Sequence, residues 1–275
     1  MSLFCPPECH QVTSLRARAH NPCATPDGRR LLFQSDHEGA PQVYVVDFEP
    51  GRPGPYGADD LSLLAGHGLP HTHPAVSCGD LVAAQRDEDG SPQIVLTDLA
   101  GGGRRLLPGG KWGDRTPAFS PDGGRLAVSS PWQGREQIWI VRLSDGRRRR
   151  LTDGRRPCKH PQFSPAGNQI VYVTERRGEW TVALCRPGGG GERLVDTGLR
   201  LPQHPTFSPD GKTIAVQGVG EGTTEIFLVE YERAETRPLT HLRRGVHKPA
   251  FSPDGSSLYF SARAAGGWEI VRWIL

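Results

Sequence analysis

The chain holds 275 residues, with 33 Lys and Arg against 30 Asp and Glu for a formal charge of +3, and no run nears the ~20 apolar residues of a membrane-spanning helix. So balanced a charge leaves no electrostatic footprint for nucleic acid or a membrane surface, and neither partner is expected. Glycine (35) and proline (25) are abundant, but they recur at regular intervals and mark turns, not low complexity.

Residues 1–10 lack the basic and apolar regions of an export signal, so a cytoplasmic protein is expected, or a periplasmic one if a leader has been removed. The six cysteines (5, 9, 23, 78, 158 and 185) show no C-x-x-C spacing and read as free thiols of a reducing compartment. Gln-Val-Thr-Ser-Leu at 11–15 matches the segment from Arg237 in placement and pattern, and reads as an outer strand lent to the last repeat.

Six copies of one phrase follow. PCATPDG (22–28) precedes β-rich runs at 30–34, 42–46 and 61–64. A decayed PAVSCGD from Pro74 precedes runs at 93–96 and 105–107, and PAFSPDG (117–123) precedes 125–129, 137–141 and 150–152. PQFSPAG (161–167) leads to 169–173, 180–184 and 193–195; PTFSPDG (205–211) leads to 213–217, 225–229 and 237–240. PAFSPDG (249–255) leads to 258–261 and 269–273, and this last repeat stops at Leu275 without an outer strand of its own. The leading prolines lie 52, 43, 44, 44 and 44 residues apart. Proline presets φ, aspartate caps the turn and glycine accepts positive φ, so each phrase is a turn. Short strands with turns at a period in the low forties are propeller blades. The expected fold is all-β: one six-bladed β-propeller domain over 1–275, with four-stranded antiparallel blades and the N-terminal strand (11–15) closing the last blade.

The residues just before each leading proline should ring the channel mouth. They are His20-Asn21, His71-Thr72-His73, Arg115-Thr116, Lys159-His160, Gln203-His204 and His247-Lys248. Six of the ten histidines fall within three residues of these prolines. Three readings compete: imidazoles that cap strand ends, a divalent-metal site, and an anion-binding funnel to which Arg115, Lys159 and Lys248 add charge. Asp114 is the one nearby carboxylate, so an electropositive mouth is expected. Trp112 and Trp132 come from loops on the same face and are candidate anchors for a ligand or protein; Trp139, Trp180, Trp268 and Trp273 read as blade packing. The basic run 147–150 reads as a solvated, edge-protecting strand.

The Ser-Pro-Asp-Gly repeats resemble those of the TolB propeller family over nearly the whole chain. More narrowly, the His71-Thr72-His73-Pro74 segment and the single pre-repeat histidines His160 and His204 are similar to the channel-mouth residues of oligogalacturonate lyases. That resemblance implies one divalent metal (Mn, Zn or similar) on His71, His73 and His204, His160 as base, and Arg115 or Lys159 as partner of a uronate carboxylate during β-elimination. The leading expectation is a binding module: a monomer whose His-rich, cationic mouth takes a small anionic ligand, such as a uronate-type carbohydrate, or a protein, with His20, Gln203, His247, Lys248 and Trp112 in contact. The lyase is the alternative.

Overall fold

Every repeat is anchored by one hydrogen-bonded turn. In the third, Ser120 Oγ donates to Asp122 and accepts from the Arg125 amide, while the Gly123 amide donates to the Ser120 carbonyl at φ +68°. Thr25–Asp27, Ser208–Asp210 and Ser252–Asp254 repeat the arrangement. The fourth copy has Ala166 in the aspartate position, and Asn168 accepts the Ser164 hydroxyl in its stead. The turn reverses the chain, and the β-branched and aromatic residues beyond it pair back as a strand.

The computed structural model describes residues 6–275 other than 50, 51, 53, 66–70, 89, 108–112, 221 and 243. It contains six four-stranded antiparallel sheets in ring order. Blade 1 is β2 (Ala19–Ala24), β3 (Arg30–Ser35), β4 (Gln42–Asp47) and β5 (Leu61–Ala65). Blade 2 is β6 (His71–Val76), β7 (Leu81–Glu88), β8 (Ser91–Asp98) and β9 (Arg105–Leu106). Blade 3 is β10 (Arg115–Phe119), β11 (Arg125–Trp132), β12 (Arg135–Arg142) and β13 (Arg148–Arg150). Blade 4 is β14 (Cys158–Phe163), β15 (Ile170–Arg176), β16 (Glu179–Cys185) and β17 (Arg193–Val195). Blade 5 is β18 (Arg200–Phe207), β19 (Ile214–Val219), β20 (Thr224–Glu230) and β21 (Glu235–Pro238). Blade 6 is β22 (Val246–Phe251), β23 (Ser257–Ala264) and β24 (Gly267–Ile274), closed by β1 (Cys9–Gln11). No helix among the described residues is long and apolar enough to cross a membrane.

The closing strand is β1, two residues earlier than the 11–15 read from the sequence. Its His10 faces Arg272 and its Gln11 faces Val271. Residues 13–16 serve another purpose: the Thr13 hydroxyl and the Leu15 and Arg16 amides all donate to the buried Glu269 carboxylate. The same link recurs elsewhere. Gln137 accepts from Thr152 and the Gly154 amide, and Glu225 accepts from Thr240. The Leu-Thr pairs after the outer strands are therefore ties back to the third strand of the same blade, and the matching Val12-Thr13 pair marks the residues just after the closing strand, not the strand itself.

The core is divided among the blade interfaces. Each is two facing apolar rows, such as Ala127, Ile138 and Ile140 of blade 3 against Ile170 and Tyr172 of blade 4. The basic run 147–150 is less solvated than its composition implies. Arg148 grips the fully buried Asp114 with both terminal nitrogens, at 2.9 and 2.6 Å, and Arg150 lies 4.8 Å over the Trp132 ring. Trp132 also meets Trp139 edge-on, so it serves packing. Cys23, Cys78, Cys158 and Cys185 are free thiols.

Candidate functional site at the channel mouth

The innermost strand of every blade carries a bulge at the same place. Asn21, His73, Thr116, His160, His204 and Lys248, each directly before its leading proline, adopt φ between +46° and +57°. Pairing with the second strand slips at each of these sites. Proline has no ladder N–H, so the irregularity falls where a ladder hydrogen bond is missing anyway. A non-glycine residue in this region costs about 1–2 kcal/mol, a cost met six times in one ring.

Thr116, His160, His204 and Lys248 line the central channel with the prolines that follow them. The channel encloses about 90 Å³, room for roughly three water molecules. The His160 and His204 rings stack with centroids 3.8 Å apart, and His73 lies 6.4 Å from His204. The His204 amide donates to His160 Nδ1 at 3.4 Å, which assigns the His160 proton to Nε2. Burial, then the nearby Lys248 charge, holds His160 down at about 3. His73 and His204 sit well below the usual imidazole range for the same first reason. All three rings are therefore neutral near pH 7. Burial also lowers Lys248, to about 8, which leaves it mostly charged at neutral pH. No carboxylate reaches the Lys248 ammonium within ion-pair distance among the described residues, and its amide donates to Gln217 Oε1. An ammonium among neutral N–H and O–H donors is an environment for an anion.

The rim divides into two groups. His20 and His247 pack on Trp268, with centroids 5.1 and 4.5 Å from it. Burial and mutual repulsion bring His20 to about 4, and burial lowers His247. Across the ring, Arg115 and Lys159 share one carboxylate, Glu136, at 3.2 and 3.0 Å, and Lys159 also lies 5.1 Å over Trp180.

Glu136, Trp180 and Trp268 stand at one equivalent position, near the start of the third strand, facing Pro131, Glu175 and Arg263 respectively. Sequence reading overlooked Glu136 and assigned Trp268 to packing alone. The usable signal was positional, since the second hairpin of each blade returns to the mouth and these residues open its last arm.

The candidate residues thus separate. His160 and Lys248 share the channel with His204. Arg115 and Lys159 are held by Glu136 on the rim, which corrects the picture of a mouth with Asp114 as its one carboxylate. Gln203 is exposed and faces Gln217 in register. Trp112 lies outside the described residues.

His71 and His73 are two apart but do not share a surface, because the bulge at His73 breaks strand alternation. His71 is buried with its Nδ1 3.3 Å from Gln42 of blade 1, while His73 lies near His204. A divalent metal does not fit this arrangement. No group of three or more His, Cys, Asp or Glu among the described residues is placed to hold one, and His160 Nδ1 already accepts a hydrogen bond. A cleft of about 850 Å³ lies at the other end of the ring, among the Ser-Pro-Asp-Gly turns.

The sequence profile of the TolB beta propeller domain matches residues 57–198, about half of the chain. A TolB homologue from Chlorobium chlorochromatii is 27% identical over 121 residues, which cover 44% of this chain and 26% of that protein. The chain thus aligns with about a quarter of that curated relative. The structure of a putative TolB from Agrobacterium tumefaciens superposes with a TM-score of 0.73 at 19% identity, covering 97% of both chains. An oligogalacturonate lyase solved in complex with manganese superposes at 0.63 and 16% identity, covering 97% of this chain and 93% of the lyase. At these identities the structural likeness is one of fold.

Proposed function

The chain belongs to the TolB beta propeller domain family, and within it we propose a binding propeller whose channel mouth takes the anionic group of a ligand. The observation that supports this reading is Lys248. A lysine rarely sits in a narrow, protein-walled channel without a carboxylate, because burying an unpaired ammonium is unfavourable. An anion entering the channel supplies the missing partner, and neutral imidazoles add N–H donors without repelling the ammonium. The size of the channel admits one carboxylate group and excludes a sugar ring, so a uronate or an acidic peptide side chain would enter tip first, its body on the rim.

Binding and protonation are coupled. Lys248 titrates near 8, so affinity for an anion should fall as pH rises through that value, whereas a site built on arginine would keep it. Titrating galacturonate oligomers and acidic peptides by calorimetry at pH 7 and 9 tests this. Lys248→Met should abolish binding at pH 7 while raising the melting temperature, since an unpaired buried charge is removed. Equal affinity in wild type and Lys248→Met would end the reading.

Uronate elimination is the weaker reading. An imidazole held near pKa 3 is a poor base for a C–H proton, and Arg115 and Lys159 are already engaged by Glu136. Unsaturated product detected by ultraviolet absorbance on adding Mn and oligogalacturonate would favour it.

A further inference from the structure

One register of the second and third strands separates blade 6 from the other five. In those five the cross-strand pair is aliphatic and buried: Leu32–Val45, Ala83–Leu96, Ala127–Ile140, Val171–Leu184 and Ala215–Leu228. The equivalence rests on the inner strand, where the residue just past the bulge (Cys23, Ala75, Ala118, Gln162, Thr206 or Ala250) faces the second-strand member. In blade 6 that member is Tyr259, its partner is Arg272, and His10 of β1 continues the row. A phenol and a guanidinium thus occupy the place of a core pair.

They can do so because the interface between blades 6 and 1 is not closed at the turn end. The first repeat is the longest, 52 residues between leading prolines against 43 or 44, and its surplus lies between β4 and β5. Arg52 clamps Asp60 with both terminal nitrogens and covers the Tyr56 ring at 4.5 Å. Phe48, Glu49, Arg52 and Tyr56 thereby wall a cleft of about 850 Å³ against Tyr259 and Arg272. Phe48 stacks on Tyr259 at 6.0 Å and 16°, and Tyr56 lies 6.0 Å beyond Phe48.

The polar groups in this cleft are under-used. Tyr259 is 4% exposed, yet its hydroxyl makes no hydrogen bond among the described residues. The one bond of the Arg272 side chain among them is Nε to Ser257 Oγ at 2.8 Å, which leaves both terminal amino groups without a protein acceptor. The carboxylates on the rim do not compensate. Asp27 is turned onto Thr25 and the Arg29 amide, Asp254 onto Ser252 and Ser256, and Glu49 lies 3.6 Å from Arg52. A guanidinium fork beside a phenolic hydroxyl, under an aromatic wall, matches a carboxylate carried on a flat apolar body.

We propose that the cleft between blades 6 and 1 binds a small aromatic organic acid, its carboxylate on Arg272 and Tyr259 and its ring against Phe48 and Tyr56. This site is independent of the channel. Phenylacetate is the probe, followed by calorimetry and ligand-observed NMR, with phenylacetamide as its neutral counterpart. In the Lys248→Met background, where the channel has lost its cation, saturable binding at one site per chain is expected, about tenfold weaker or worse for the amide, because the charge-assisted fork is lost. Arg272→Leu/Tyr259→Ala, which installs the aliphatic pair of blade 5, should lose binding and keep a cooperative melt. Should that variant fail to fold, Arg272→Gln alone should erase the preference for acid over amide. In that background the Arg272 variants should still remove phenylacetate binding, which separates this site from the channel. The proposal is overturned if phenylacetate, benzoate and indole-3-acetate all fail to saturate below ~10 mM, if acid and amide bind alike, or if neither Arg272 variant weakens binding.

Discussion

The two ends of this ring are built by opposite rules. At the turn end both backbone and side chains repeat: a Ser or Thr, an Asp and a positive-φ Gly recur in blades 1, 3, 5 and 6 with the same hydrogen bonds. At the mouth only the backbone repeats. The bulge occurs six times, but its residues are Asn21, His73, Thr116, His160, His204 and Lys248. Repetition of side chains marks what every blade needs in order to fold. A repeated backbone carrying unrepeated side chains marks where the ring is free to specialise. The Tyr259–Arg272 pair extends the lesson to the blade interfaces, since it breaks a core pattern that five other blades keep.

The largest effect is expected where a repeated tie closes the ring. Glu269→Ala leaves the Thr13 hydroxyl and two amides without their acceptor and should cost about 2–4 kcal/mol, read as a shift in the urea midpoint. Glu269→Gln should recover part of it. A loss below that of an ordinary surface substitution would show that the N-terminal strand closes the ring without this tie.

An intermediate effect concerns the mouth. His73, His160 and His204 have depressed folded-state pKa values, so below the unfolded value of 6.5 the unfolded chain binds protons that the folded channel resists. The stability these imidazoles contribute is complete above about pH 6.5 and is lost as pH falls toward the folded value near 3 of His160. Each contributes at most ~1.4 kcal/mol per pH unit in that window. Melting temperatures from pH 7.5 to 5 should fall accordingly, and replacing the three histidines with asparagine should flatten the profile. An unchanged slope would mean that these rings are solvated.

The smallest effect tests the turns. Asp210→Ala removes the acceptor for Ser208 Oγ and the Lys212 amide and should cost about 1 kcal/mol. In blade 4, where Ala166 already stands at that position, Asn168→Ala should cost a similar amount. Equal tolerance at both sites would remove the turn from the list of repeated necessities.

What the sequence determined by itself was the repetition: six turns, the strand order within each blade and closure by the N-terminal segment. The turns and strands depend on residues a few positions apart, so local turn chemistry and apolar alternation suffice to read them, while closure follows from a last repeat one strand short of the others. Tertiary structure decided the rest. Contacts between residues distant in the chain were invisible along it: Glu136 pairs with both Arg115 and Lys159, and Trp268 gathers His20 and His247. The bulge turned His71 and His73 apart, although residues two apart on a regular strand share one face. The leading prolines hinted at an irregular strand, but φ near +50° at the residue before each emerges only when six strands pack around one axis. Lys248 shows the division most plainly: its identity is local, while its lack of a carboxylate partner among the described residues is a property of the packed ring.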